Sequence, residues 1–249
     1  MPEHFSLLIL FGVGIIAGFL NVNAGGGSTL TLPALIFLGL DSALANGTNR
    51  IAIFIQNISA VYSFKKEKYQ QFDISLKLSL FTLPGSILGA LLAVELSDAL
   101  FQKILGIIMI GIIISMIIPQ KKIIDSQHNN KKIPVSAYIA MIGIGFYGGF
   151  IQVGVGFILM AALQRLMKLN LVYVNMHKVF IVLVYTIPAL LIFIITDNVN
   201  WVLGLALAAG NALGGWWAAK FSVRKGEKLI KYVLIVAVLI MAAKLLGAF

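Results

Sequence analysis

The chain has no cysteine among its 249 residues. That excludes disulfides, thiolate metal sites and cysteine nucleophiles. It has few charges: 11% of residues are Asp, Glu, Lys or Arg, against the ~25% of a soluble domain. Acids are scarcest, with nine Asp and Glu against 19 Lys and Arg, a net charge of +10. Glu95, Asp98, Asp41, Asp73 and Asp197 fall at the ends of apolar segments, which argues against a carboxylate proton relay inside a membrane. No GxxxxGK[ST] motif is present for ATP hydrolysis, and no HExxH or paired intramembrane acids suggest a hydrolase. The sequence is therefore not expected to be an enzyme, and neither cofactor nor metal is expected. MPEHFSLLIL lacks the basic start of a secretory signal, so the first apolar segment is expected to be retained.

What is present is apolar. Hydrophobic residues make up 60% of the chain, which places it among polytopic helical membrane proteins with the lipid bilayer as partner. The basic residues sit in short loops rather than in a stripe interleaved with aromatics, so they read as membrane orientation and no nucleic-acid partner is expected. Oligomeric state is not legible. Apolar segments fall at roughly 5–22, 28–40, 44–64, 74–96 and 99–119, then at 134–151, 156–169, 173–196, 199–221 and 229–248. Segments 28–40 and 156–169 are short for a span; merging each with the segment before it leaves eight hydropathy segments.

The two halves repeat. Asn23-Ala24-Gly25-Gly26-Gly27 has its counterpart in Gln152-Val153-Gly154-Val155-Gly156. Asn23 and Gln152, Asp41 and Asn170, Asn46 and Asn175, and Phe64 and Phe193 are each 129 positions apart. Gly85 and Gly210, Gly89 and Gly214, and Lys103 and Lys228 are each 125 apart. The order predicts an all-α fold of two repeats, 1–119 and 134–249, joined by a linker at 120–133. A polar amide followed by clustered glycines at membrane depth predicts a helix break in each.

Charge decides the expected topology. The basic loops are 65–77, 120–133, 165–178 and 220–231, whereas the loops near Asp98 and Asp197 are poor in base. If each glycine segment crossed the membrane once, the 220–231 loop would face outside, against the positive-inside rule. If each is a hairpin joined at its glycines, all four basic loops share the cytoplasmic side. The repeats are then inverted, and both termini lie outside.

At these residues the chain resembles the TauE/SafE sulfite exporter family, also called the 4-toluenesulfonate uptake permease family. The resemblance rests on GFLNVNAGGGSTLTLPALIFLGLDSALANGTNRIAIFIQNISAVYSF at 18–64, PGSILGALLA at 84–93 and NMHKVFIVLVYTIPALLIF at 175–193. GVG at 154–156 departs from the fuller glycine cluster of many members. The resemblance implies a transporter of small sulfur-containing anions, sulfite or organosulfonates, in a bacterial inner membrane.

An anion crossing a bilayer needs fixed donors in place of its hydration, and helix N-termini supply them. The candidate substrate-binding residues follow. Asn23, Gly25, Gly26, Gly27 and Ser28 form the first break, where Ser28 and Thr29 are expected to cap the returning helix. Gln152, Gly154 and Gly156 form the second. Asn46, Thr48, Asn49 and Arg50 open the next helix of the first half, and Asn175 and Lys178 open its counterpart. A one-residue gap sets Lys178 against Arg50. Both cations are expected to neutralise the substrate; the plainer alternative is that they snorkel to the interface. Gln56 and Asn57 read first as interhelical hydrogen bonds and then as substrate contacts. His177 is a candidate proton site. Gly85, Gly89, Gly210, Gly214 and Gly215 have the spacing of helix-packing faces. The expected function is alternating-access transport of a small oxyanion held between the breaks. The rival readings are an accessory subunit of a membrane complex and an intramembrane enzyme.

Overall fold

The computed structural model describes residues 3–69, 71–117, 133–221, 239, 242, 243 and 245. The expected 120–133 linker, apart from Ile133, and almost all of 229–248 lie outside these residues, as do Arg224, Lys225, Lys228 and His128. Every regular element described is helical: α1 (Glu3–Ala24), α2 (Ser28–Phe37), α3 (Ser42–Lys66), α4 (Phe72–Glu95), α5 (Asp98–Ile117), α6 (Val135–Phe150), α7 (Val155–Met167), α8 (Leu171–Ile195) and α9 (Trp201–Phe221).

The helices bury polar side chains and expose apolar ones, the inverse of a soluble domain. Asn46, Thr48, Asn49, Arg50, Gln56, Asn57, Gln152, His177, Lys178 and Thr186 are buried, while Leu8, Tyr62, Leu88, Ile107, Ile139, Ile195 and Trp217 are more than half exposed or close to it. Among the described residues, α1, α8 and α9 are long and apolar enough to span a membrane. A fourth span is a bent pair, Phe72–Leu80 with Leu83–Glu95, at an angle of 52°. Pro84 explains the bend, since it has no N–H for the residue-80 carbonyl and its ring crowds that turn. α3 has the length of a span, but its first turns carry the buried Asn46–Arg50 run and lower its hydropathy.

The breaks fall where the glycines are. α1 stops at Ala24 and α2 begins at Ser28; α6 stops at Phe150 and α7 begins at Val155. Gly25 (φ 81°) and Gly154 (φ 72°) take the left-handed conformation that lets the chain turn. The second break, with fewer glycines, uses Gln152 at φ 61° as well. Gly27 lies against Ala17 and Asn21 of α1, so α2 starts back along the helix it follows. Ile133 and Ala137 at the start of α6 share an apolar cluster with Leu163 and Met167 at the end of α7.

The halves interlock by exchange. Gly14 and Gly18 of α1 meet the backbone of Leu207 and Asn211 in α9, and Gly210 and Gly214 meet Phe11 and Ile15 in return. Gly145 and Gly149 of α6 meet Thr82 and Ser86 of α4, and Gly85 and Gly89 meet Ile142 and Phe146. Each added Cβ would strike backbone, so the packing role read from the 85/89 and 210/214 spacings holds and extends to α1 and α6.

The ends of the bundle differ. Asp98 accepts from the Ser42 amide at 2.7 Å and so caps α3 from the start of α5. Thr48 Oγ1 accepts from the Asn200 amide at 2.9 Å. At the other end Tyr69, after α3, lies 5.3 Å from Tyr173 in the first turn of α8, and Phe72 at the start of α4 lies 5.3 Å from Phe180. Lys65, Lys66, Lys68 and Lys168 are at this end; Asp41, Asp98 and Asp197 are at the first.

Candidate functional site

The two breaks touch. A Cβ on Gly25 would collide with the backbone of Gly156, and one on Gly156 with Gly25. No side chain fits between them, so the first turns of α2 and α7 meet inside the protein. Most of their leading N–H groups turn back onto the breaks: Thr29 to the Gly26 carbonyl, Leu30 to Gly27, Val155 to Gln152 and Phe157 to Gly154. Ser28 ties the breaks together: its Oγ donates to the Gln152 carbonyl at 3.3 Å and accepts from the Gly154 amide at 3.4 Å. The expected capping of α2 by Ser28 and Thr29 is not what forms. Gly27 holds the cap position without a side-chain bond, and Thr29 Oγ1 donates backward to the Gly26 carbonyl. Ser28 is drawn instead to the Gln152 carbonyl of the opposite break, which also accepts from the Val155 amide at 3.2 Å.

A cavity opens beside this contact, lined by Asn21, Ser28, Ile53, Asn57, Gln152, Val155, Gly156, Lys178 and Val182. It is narrow, with room for about one water molecule. Its polar groups are three amides, a hydroxyl and an ammonium, with no carboxylate. Each amide nitrogen is paired within the protein, whereas Gln152 Oε1 is buried without a partner. Asn21 donates to Gln56 Oε1 at 3.0 Å, Gln152 to Thr186 Oγ1 at 3.2 Å and Asn57 to the Ile53 carbonyl at 2.7 Å. Asn21–Gln56 joins α1 to α3, and Gln152–Thr186 joins the second break to α8. The interhelical role read first for both Gln56 and Asn57 is present at Gln56, whereas Asn57 bonds a carbonyl one turn back in its own helix.

Neither expected cation reaches the membrane interface: Arg50 is fully buried and Lys178 is 2% exposed. The snorkelling alternative is excluded by position. Lys178 Nζ donates to the Asn21 and Val22 carbonyls at 3.0 and 2.7 Å and to Asn175 Oδ1 at 3.0 Å. Arg50 donates to the Gly148 carbonyl at 3.0 Å, to the Gly149 carbonyl and to Asn46 Oδ1 at 3.4 Å. Its guanidinium carbon lies 4.7 Å from the centre of the Phe193 ring. Each cation thus bonds two of the last carbonyls where the other half's helix stops, the favourable end for positive charge; the Asn21 carbonyl also accepts from the Gly25 amide at 3.0 Å. The one-residue gap aligns two side chains that do the same work.

The expected residues therefore divide. Ser28, Gln152, Gly156 and Lys178 line the cavity, and Gln56 and Asn175 hold residues that line it. Gly25, Gly26, Gly27 and Gly154 shape the breaks. Arg50 and Asn46 clamp α6, with the Asn46 amide on the Phe150 carbonyl at 2.8 Å. Thr48 binds the α8–α9 loop, and Asn49 is buried with neither amide atom hydrogen-bonded. His177 Nδ1 is 2.7 Å from Ser75 Oγ on α4, away from the cavity lining. Asn23 is part-buried and outside the lining as well. Asn21 is the residue missed. Its signal was its position one helical turn before Gly25, on the side toward α2. Among the described residues no group of three or more His, Cys, Asp or Glu is placed to hold a metal.

The sequence was compared with known families and proteins. The model of the family described as sulfite exporter TauE/SafE matches residues 10–245. The probable membrane transporter protein YfcA of Escherichia coli K12 is 32% identical over 248 residues, which cover 99% of this chain and 91% of that protein. A probable membrane transporter protein of Haemophilus influenzae is 29% identical, with 96% and 94% covered. The probable membrane transporter protein YunE of Bacillus subtilis is 25% identical, with 97% of each chain covered. No solved structure matches. With nearly its whole length inside the family model and its relatives named as membrane transporters, this chain is an integral membrane protein of the TauE/SafE sulfite exporter family.

Proposed function

We propose that this protein is a secondary transporter of a small sulfur-containing oxyanion, sulfite or an organosulfonate, and not an enzyme. The observation that carries the reading is the composition of the cavity between the breaks: a buried ammonium, three amides and a hydroxyl, with no acid. An anion brought out of water needs positive charge and donors in place of its hydration, and a cation there would meet repulsion from Lys178. Lys178 supplies charge; Ser28, Asn21, Asn57 and Gln152 supply donors by exchanging their internal partners for the anion. The first N–H groups of α2 and α7 add to the field.

A cavity the size of a water must widen to admit a three-oxygen anion, so the state described is a closed one. Alternating access follows if the α1–α9 pair and the α4–α6 pair, each locked across the halves by its glycines, rock against each other about the Gly25–Gly156 contact. The reciprocal packing of α1 on α9 and α6 on α4 supports two inverted repeats, 1–119 and 134–249, with a helical hairpin at each break. The lysine-rich end supports a cytoplasmic placement for it, hence an inner-membrane protein with both termini outside.

Radiolabelled sulfite flux into proteoliposomes tests the function. Saturable flux is expected in the wild type. Asn57→Ala is expected to raise the half-saturation concentration about 3–10-fold, the loss of one hydrogen bond. No flux for any sulfur oxyanion would overturn the transport reading and favour an accessory subunit.

A further inference from the structure

α1 and α6 both stop inside the protein, and their last carbonyls need donors where no water is at hand. Lys178 meets that need at α1 with three donors on three neutral oxygens: Asn21 O, Val22 O and Asn175 Oδ1. Met160 Sδ completes the shell at 3.6 Å. Arg50 does the same at α6 with Gly148 O, Gly149 O and Asn46 Oδ1. In both cases an asparagine three or four residues earlier on the cation's own helix adds the third oxygen. Neither cation has a carboxylate partner among the described residues. Two carbonyls at a helix end plus a side-chain oxygen around one positive charge is the donor set that takes a free sodium or potassium ion where carriers unwind a helix.

We propose that Lys178 is a tethered monovalent cation: its ammonium fills an oxygen site at the end of α1 that would otherwise take a free alkali or ammonium ion. Arg50 is its counterpart at α6. The protein then holds both breaks closed with cations built into the chain, and its transport requires neither sodium nor potassium. Lys178 is also the only one of the two cations that lines the cavity. An anion drawing the ammonium toward itself weakens its bonds to Asn21 and Val22, which frees the end of α1 as the substrate binds. This last link to flux rests on the cavity being the anion site; the occupancy of the oxygen site does not.

The test uses the full-length protein in detergent, with melting followed in choline chloride and, at equal ionic strength, in sodium, potassium or methylammonium chloride. For the wild type the four salts are expected to give the same melting temperature, and stabilisation specific to sodium or potassium overturns the proposal. Lys178→Ala, which empties the site, is expected to melt roughly 5 °C or more lower in choline. Methylammonium or potassium should then restore at least half of that loss. Lys178→Met, which fills the space without charge, should show no such recovery. A Lys178→Ala protein that responds to cations no more than the wild type overturns the proposal. If Lys178→Ala cannot be purified, the wild-type salt comparison still decides. Wild-type sulfite flux in sodium- and potassium-free choline medium is expected within about twofold of that in potassium, and a strict alkali requirement overturns the proposal. Absence of flux in every medium would remove the transport reading and leave the melting result standing.

Discussion

The Lys178 ammonium has three protons, and three oxygens within 3.0 Å take them. Its charge faces the cavity while its hydrogen bonds are spent on two backbone carbonyls and the Asn175 side chain. A buried ammonium is tolerated only with such partners, because unpaired it would cost several kcal/mol. Gly25 is as constrained for another reason: φ is 81° and a Cβ would enter the backbone of Gly156. Gly25→Ala is expected to lower stability by about 1–3 kcal/mol and to reduce sulfite flux, read by thermal melting and by proteoliposome uptake. Gly111, with open space around its Cβ position, is the control, and Gly111→Ala should leave melting unchanged or raised. Such positions were unequally legible in the sequence. The glycines announced a break because clustering is unusual in an apolar run. Asn21 did not, because an amide one turn from a break looks like any other polar residue until the chain folds back over it. The cations were visible as charges at membrane depth, but their partners are main-chain carbonyls, which carry no sequence signal.

At the scale of elements, each helix end has an identifiable cause. Asn170 accepts from the Tyr173 amide at 3.1 Å and caps α8, whereas Asp41 at the matching position of α3 makes no side-chain bond and Asp98 acts in its place. Asn170→Ala is expected to cost about 1 kcal/mol, seen as a drop in melting temperature, while Asp41→Ala costs little and Asp98→Ala resembles Asn170→Ala. The pairing of Asp41 with Asn170 was readable as a spacing, but the substitution of a distant acid for a local cap was not. The helix pairs were half legible. The 85/89 and 210/214 glycines marked two packing faces; that each would meet the opposite half's first helix depends on tertiary arrangement. Gly89→Leu should disrupt the α4–α6 contact and reduce the yield of folded protein, as Gly214→Leu should for α1–α9, both measurable by size-exclusion chromatography of the solubilised protein.

For the molecule as a whole, sidedness is the testable property. Lys65, Lys66, Lys68 and Lys168 share the end where Tyr69 meets Tyr173, and Asp197 and Ser97 lie at the other. Since the chain has no cysteine of its own, single substitutions report without background. Lys168→Cys is expected to react with an impermeant thiol reagent only from the cytoplasmic side, and Asp197→Cys only from outside. The reverse pattern would invert the assigned orientation.

The interlocking of the halves also sets a schedule for making the protein. Gly14 packs against Leu207, so α1 leaves the ribosome well before the helix it packs on. At roughly 5–20 residues per second, close to 200 residues of synthesis separate the two by about 10–40 s. During that interval α1 sits in the bilayer with its small-residue face open to lipid or to other chains. Biogenesis therefore favours a helper that shields this face, and nascent chains stalled before α9 should be the form most readily cleared by membrane proteases.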